Sequence, residues 1–193
     1  MDAALDCYEC HAVNNTTCQP IVTQCSPGEQ CISMNEDFTH RNESFPSMLK
    51  GCSRGLPCGT MPYAKNNYGI YFLMSLKCCN EDLCNNQTYE KPEPKEPSGI
   101  SCMSCFKPDT VEGCDSDEKI QCYDKKDKCY RFSGIVMRPD QKVVNYSVRG
   151  CASGLLCRSD LGQLIGAKVL NTTSFNCTDP TQPPSETDKE GTN

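Results

Sequence analysis

Two Cys-x-x-Cys pairs, "CYEC" at Cys7 and Cys10 and "CMSC" at Cys102 and Cys105, have the clearest capacity for chemistry in this chain. A dithiol at that spacing performs redox exchange when it opens a helix beside a βαβ unit. It supplies half of a zinc site when a second ligand pair completes the tetrahedron. No βαβ pattern accompanies either pair. The only bases of the imidazole type are His11 and His40, both in the first half and both among polar residues. A serine or cysteine nucleophile needs a base held by a third group, and nothing in the sequence marks one, so both read as surface histidines. No glycine-rich phosphate loop, HExxH or EF-hand pattern occurs. The acidic groups Asp115/Asp117/Glu118 and Glu36/Asp37 read as solvated loop charges, since calcium needs many oxygen ligands at defined spacing. The expectation is a non-enzyme with no cofactor and no metal.

Those cysteines must be positioned by something other than a large core. Eighteen of the 193 residues are Cys, tryptophan is absent, and the aliphatic residues are scattered. That is the composition of a disulfide scaffold, which forms in oxidising compartments. Seven N-x-[ST] triplets, beginning at Asn14, Asn15, Asn42, Asn86, Asn145, Asn171 and Asn176, point the same way, to a secreted glycoprotein. Only "MDAALD" precedes Cys7, which reads as a mature form with its leader removed. No apolar run approaches the roughly 20 residues that cross a bilayer, so direct membrane insertion is not expected. A lipid anchor cut away after the C-terminus is an open alternative.

The phrase "KGCSRGLPC" at 50–58 returns as "RGCASGLLC" at 149–157. From Cys7 to Cys78 the intervening lengths are 2, 7, 6, 5, 20, 5 and 19. From Cys102 to Cys177 they are 2, 8, 7, 6, 21, 5 and 19. The chain is a tandem duplication. Its parts are expected at 1–90, a Pro/Glu/Lys linker at 91–100, a second domain at 101–178 and a disordered tail at 179–193. Within the copies, "IYFLMSLKCC" alternates Ile70, Phe72, Met74 and Leu76 as a half-buried strand does. "YRFSGIVM", "RPDQ" and "KVVNYSVRG" read as strand, turn and strand, with Pro139 at the turn's second position. Gly51 and Gly150, each just before a cysteine, are expected where backbones approach closely. No helical periodicity competes, and the fold class is all-β.

The CxxC start, the order of ten cysteines and the ending "CCNEDLCN" resemble the three-finger domains of the urokinase-receptor and lymphocyte-antigen family. The resemblance covers residues 5–86 and, without the closing Cys-Asn, 100–177. It implies the pairs Cys7–Cys31, Cys10–Cys18, Cys25–Cys52, Cys58–Cys78 and Cys79–Cys84. In the second copy it implies Cys102–Cys129, Cys105–Cys114, Cys122–Cys151 and Cys157–Cys177. Spacing alone leaves 105 pairings open for eight cysteines. With every cysteine given a partner, the CxxC pairs become structural. The two-domain layout resembles the gamma-type inhibitors of secreted phospholipases and the amphibian sodefrin-precursor-like proteins.

Charge limits the partners. Residues 1–90 hold 5 basic and 10 acidic side chains, whereas 101–177 hold 11 basic and 9 acidic. An acidic first domain argues against nucleic acid and anionic membranes, and suits a basic extracellular protein such as a secreted phospholipase or a receptor. The contact candidates are the apolar finger residues Phe38, Phe45 and Met48 of the long second finger, and Tyr63 and Tyr68 of the third, about half of them destined for packing. The resemblance makes a soluble inhibitor the leading function. A lipid-anchored receptor or adhesion protein and a secreted pheromone are the alternatives.

Overall fold

The computed structural model describes residues 4–97, 100–158 and 164–180. The first copy contributes β1 (Asp6–Ala12), β2 (Ile21–Gln24), β3 (Cys31–His40), β4 (Glu43–Cys52), β5 (Tyr63–Lys65) and β6 (Ile70–Cys79). The second contributes β7 (Ser101–Met103), β8 (Cys105–Pro108), β9 (Lys119–Gln121), β10 (Lys128–Met137), β11 (Val143–Ala152) and β12 (Lys168–Thr178). A single 3-10 turn at Leu156–Arg158 is the only helical element among the described residues. The chain is all-β and disulfide-rich, in two tandem three-finger repeats.

All eighteen cysteines are bonded. Cys7 joins Cys31 and Cys10 joins Cys18, so the two sulfurs of "CYEC" are tied to different partners. Cys102–Cys129 and Cys105–Cys114 repeat that arrangement. The remaining bonds are Cys25–Cys52, Cys58–Cys78, Cys79–Cys84, Cys122–Cys151 and Cys157–Cys177. The sulfurs of Cys7, Cys25 and Cys52 crowd together, as do those of Cys102, Cys122 and Cys151. Bonded sulfurs offer no thiolate to a metal. Asn85, beside Cys84, shows why the first copy ends in Cys-Asn. Its amide nitrogen donates to the carbonyls of Tyr8 and Ile32 at 2.9 and 2.8 Å, and its oxygen accepts from the Tyr8 N–H at 3.0 Å. One buried amide thus ties β1 to β3. The second copy has no counterpart.

The hairpins follow from local sequence. Ile70, Phe72, Met74 and Leu76 alternate along β6 and all four are buried. Between β10 and β11 the Gln141 N–H donates to the Arg138 carbonyl at 2.9 Å, with Pro139 second in the turn, where its fixed φ suits the bend.

The two copies are not separate bodies. β5 of the first pairs with β11 of the second, Lys65 opposite Cys151 and Ala64 opposite Ala152. That junction joins ten strands in one sheet, ordered β12-β10-β11-β5-β6-β3-β4-β1-β2 with β8 also on β11; β7 and β9 form a small second sheet. The paired glycines part company here. A Cβ on Gly150 would overlap the Lys65 carbonyl, so the close approach expected of this residue is made to the other copy. A Cβ on Gly51 would meet nothing within 4 Å, and the expectation fails there because Gly51 borders open space.

The sheet bends so that its two halves share a core. In register across β3, β4 and β6, the residues Ile32, Met34, Glu36 and Phe38 lie on one face with Leu49, Phe45, Leu76, Met74 and Phe72. Against them pack Tyr130, Phe132, Val136, Tyr146 and Val148 of the second copy. Each such side chain contributes about 1.5–3 kcal/mol by leaving water. The opposite face of β3 is covered by the connection between the copies: Asn85 and Pro92 are buried, the Tyr89 hydroxyl donates to the Glu36 carbonyl at 3.3 Å, and Lys91 pairs with Asp37 at 3.0 Å. Of linker residues 91–97 only Pro92 is buried, and Lys91 reaches back because that face of β3 carries a carboxylate that needs a partner. At the other end of the chain, Lys128 bonds Asp179. Residues 181–193 of the expected tail lie outside the described residues.

Candidate binding site at the seam between the copies

The row Ile32, Met34, Glu36, Phe38 on β3 contains one ionisable member. Glu36 is fully buried, and its carboxylate accepts from the backbone N–H groups of Ile165 at 2.6 Å and Gly166 at 3.0 Å. Gly166 fits because it lacks a side chain: a Cβ there would collide with the Ser47 hydroxyl. His11 completes the clamp, its Nε2 lying 3.2 Å from the Ile165 carbonyl. Burial pushes the Glu36 carboxyl up to about 7; the N–H groups of Ile165, Gly166 and Ala167 oppose the shift, and neighbouring Asp37 adds to it. Reading Glu36 and Asp37 as solvated loop charges is therefore wrong. They sit mid-strand, and the loop before β12 and the inter-copy connection cover them. Asp115 is exposed and pairs with Arg131 and Arg149, as a solvated acid does.

A second polar cluster closes the same seam at the fingertips. Arg138, itself buried, lies 3.1 Å from His40 Nδ1, donates to Asp140 at 3.1 Å, pairs with Glu43 at 3.6 Å and stands over the Phe45 ring at 5.0 Å. His40 stacks on Tyr146 with centroids 5.9 Å apart. Burial first, and then the Arg138 guanidinium, holds His40 below the ordinary imidazole value. It is half-buried at the seam rather than free on the surface. A third cluster centres on Tyr63. Its hydroxyl donates to buried Asp127 and accepts the Tyr123 N–H at 3.2 Å, while its backbone exchanges hydrogen bonds with Ser153.

Four of the five contact candidates are consequently unavailable. Phe38, Phe45, Met48 and Tyr63 are all buried, the two phenylalanines 6.3 Å apart in the shared core. The expectation that about half of the candidates pack is exceeded, because the second copy and the packed sheet cover the faces that carry these four. Tyr68 alone is exposed, in the turn before β6, where its N–H donates to Asn66 Oδ1 at 2.8 Å. All seven sequon asparagines are exposed.

What the packing leaves open is a cavity of about 720 Å³ at the knot end of the seam. Its walls are Ile32, Met34, Leu49 and Leu76 from the first copy and Leu155, Leu156 and Leu164 from the second. Glu9, Gln19, Ile21 and Arg54 stand among its lining, and Ile21 and its neighbour Val22 are among the most exposed apolar side chains in the protein. The volume lies within the usual range for ligand sites, and such sites favour the joints between domains. Chemically the site offers apolar insertion with a mixed polar rim. Its ionisable lining residues are Glu9, His11, Lys50 and Arg54. Sequence reading missed it because its walls come from both copies.

The u-PAR/Ly-6 domain pattern matches residues 3–87 and again 98–182. The chain belongs to the u-PAR/Ly-6 family. Among curated relatives, the phospholipase A2 inhibitor 31 kDa subunit of Naja kaouthia is 25% identical over 190 residues, 96% of this chain and 98% of the relative. The phospholipase A2 inhibitor gamma subunit A2 of Trimerodytes annularis is 23% identical over 152 residues, covering 76% and 80%. Among solved structures, mouse TEX101 aligns over 91% of this chain and all of its own, at 17% identity and a TM-score of 0.37. No helix among the described residues is long and apolar enough to cross a membrane.

Proposed function

We propose that this protein is an extracellular, non-enzymatic inhibitor that binds and occludes a secreted phospholipase A2. The observation that carries the reading is the likeness to a phospholipase A2 inhibitor subunit through both copies and nearly the whole of each chain. Because the copies share one core, a relationship spanning both also spans the seam, and the cavity belongs to that seam. The contact surface is its mouth, where Ile21 and Arg54 present apolar and cationic groups. An apolar segment of the partner enters, and the polar rim excludes water around it, the usual anatomy of a protein hot spot.

The test is direct titration of the glycosylated protein against a panel of secreted phospholipases A2, reading binding by calorimetry and hydrolysis of a chromogenic substrate in parallel. Stoichiometric binding with loss of activity supports the proposal. Absence of binding across the panel at micromolar concentration overturns it.

A further inference from the structure

Beside the short outer side of β8, which pairs only with β11, the ten-stranded sheet has two end strands among the described residues, β2 and β12. They are built differently. β12 is eleven residues long, "KVLNTTSFNCT", with Lys168 as its sole charge and with Val, Leu, Phe and three Thr residues favouring extended backbone. A long edge of that composition is a template for pairing with another chain. Its register on β10 slips at Ser133/Gly134 and Ile135/Val136, leaving Thr173 and Leu170 as the unpaired extra residues. Those bulges twist the first half of the strand away from ready pairing. From Ser174 to Thr178 the register is regular and nothing in the strand itself blunts the edge.

Both halves carry a sequon: Asn171-Thr172-Thr173 over the bulged stretch, Asn176-Cys177-Thr178 over the regular one. Asn171 stands opposite Ile135, and Asn176 opposite Arg131. Ile135 and Arg131 alternate with core residues Phe132 and Val136, so the two asparagines lie on the outer face, and both are exposed. Asn145 on β11 pairs with the same Ile135 and carries a third exposed sequon, two strands or about 10 Å from Asn171. β2 has the opposite design: four residues, no sequon, and Ile21 and Val22 at 65% and 57% exposure.

We propose that Asn171 and Asn176 are N-glycosylated and that their glycans cap the β12 edge, preventing it from pairing with a second copy of the chain. The two edges then divide the labour: β12 is sealed, and β2 beside the cavity stays bare for a partner. This inference rests on the extracellular reading, because N-glycans are added in the secretory route.

The experiment secretes the full chain from a glycosylating cell line, maps occupied sequons by glycopeptide mass spectrometry, and measures mass by light scattering across a concentration series. Asn171 and Asn176 are expected to be occupied and the protein monomeric. An Asn171→Gln/Asn176→Gln double variant is expected to form concentration-dependent dimers or larger species at tens of micromolar, the range where exposed edges associate. Asn42→Gln should stay monomeric, and Asn171→Lys/Asn176→Lys should restore the monomer, since edge lysines oppose strand pairing. If the double variant is not secreted, endoglycosidase trimming of the folded protein provides the same comparison. Occupancy elsewhere but not at Asn171 and Asn176, or a trimmed or double-variant protein as monomeric as the parent, overturns the proposal. No occupied sequon anywhere overturns it together with the extracellular reading.

Discussion

The carboxylate of Glu36 receives the backbone N–H of Ile165 at 2.6 Å across 129 residues of sequence, joining the middle of the first copy to the last loop of the second. An acid is an unusual choice for that place. Burial raises its carboxyl from 4.5 to about 7, so the folded protein holds this proton more tightly than the unfolded chain does. Glu36 therefore stabilises the fold fully below about pH 4.5, and that contribution is lost as pH rises through about 7. The shift corresponds to roughly 3 kcal/mol. Other carboxylates titrate too, so the difference between parent and variant is what reports Glu36. Urea unfolding of Glu36→Gln between pH 4 and pH 8 should lack this component, leaving the variant closer to, or above, the parent at pH 8. Parallel pH profiles for the two proteins would mean that Glu36 does not titrate in the fold.

The duplicated glycines give a paired prediction. Gly150→Ala drives a methyl into the Lys65 carbonyl and must lift β5 from β11, whereas Gly51→Ala enters open space. The first should cost on the order of 3 kcal/mol, the upper range for overpacking, and the second within about 0.5 kcal/mol of zero. Thermal unfolding of both variants checks the contrast. Equal effects would show that the β5–β11 junction is not what Gly150 serves.

Much of this architecture was legible in the cysteine gaps and in rows such as Ile70, Phe72, Met74 and Leu76, because strand alternation and repeat spacing are local properties. The seam was not. Phe38, Phe45 and Tyr63 look like free finger residues in a single three-finger unit, but they are buried where the packed sheet and the other copy meet. Asp37 and Glu36 read as solvated because their partners, Lys91 and the loop at Ile165, lie at 54 and 129 residues' remove or belong to a stretch with linker composition. A periodic pattern shows which face is apolar; it does not show what covers that face.

Separating the copies should reveal the same dependence. A fragment of residues 1–90 keeps its five disulfides but exposes the face bearing Ile32, Met34, Phe38, Phe72 and Met74. It should bind a hydrophobic dye strongly and self-associate, because an apolar patch of that kind is not tolerated on a monomer surface. The full chain should do neither. A monomeric fragment that binds no dye would mean that the first copy closes its own core.

The last prediction concerns where a partner binds. Phe45→Ala should lower stability by about 3–5 kcal/mol, as loss of a buried aromatic ring does, and any weakening of binding should follow the unfolded fraction. Ile21→Ala and Arg54→Ala remove groups that line the cavity and touch little else, so folding should be unchanged. If the partner inserts at this mouth, each should lose on the order of 2 kcal/mol, or about thirtyfold, in affinity for a phospholipase that the parent binds. Tyr68→Ala is the control, because Tyr68 is exposed but lines no wall of this cavity. It should change affinity by less than about threefold, the scale of a surface residue outside a hot spot. The reverse pattern, with Tyr68 critical and Ile21 and Arg54 silent, would move the binding surface to the third finger of the first copy and leave the cavity without a role in recognition.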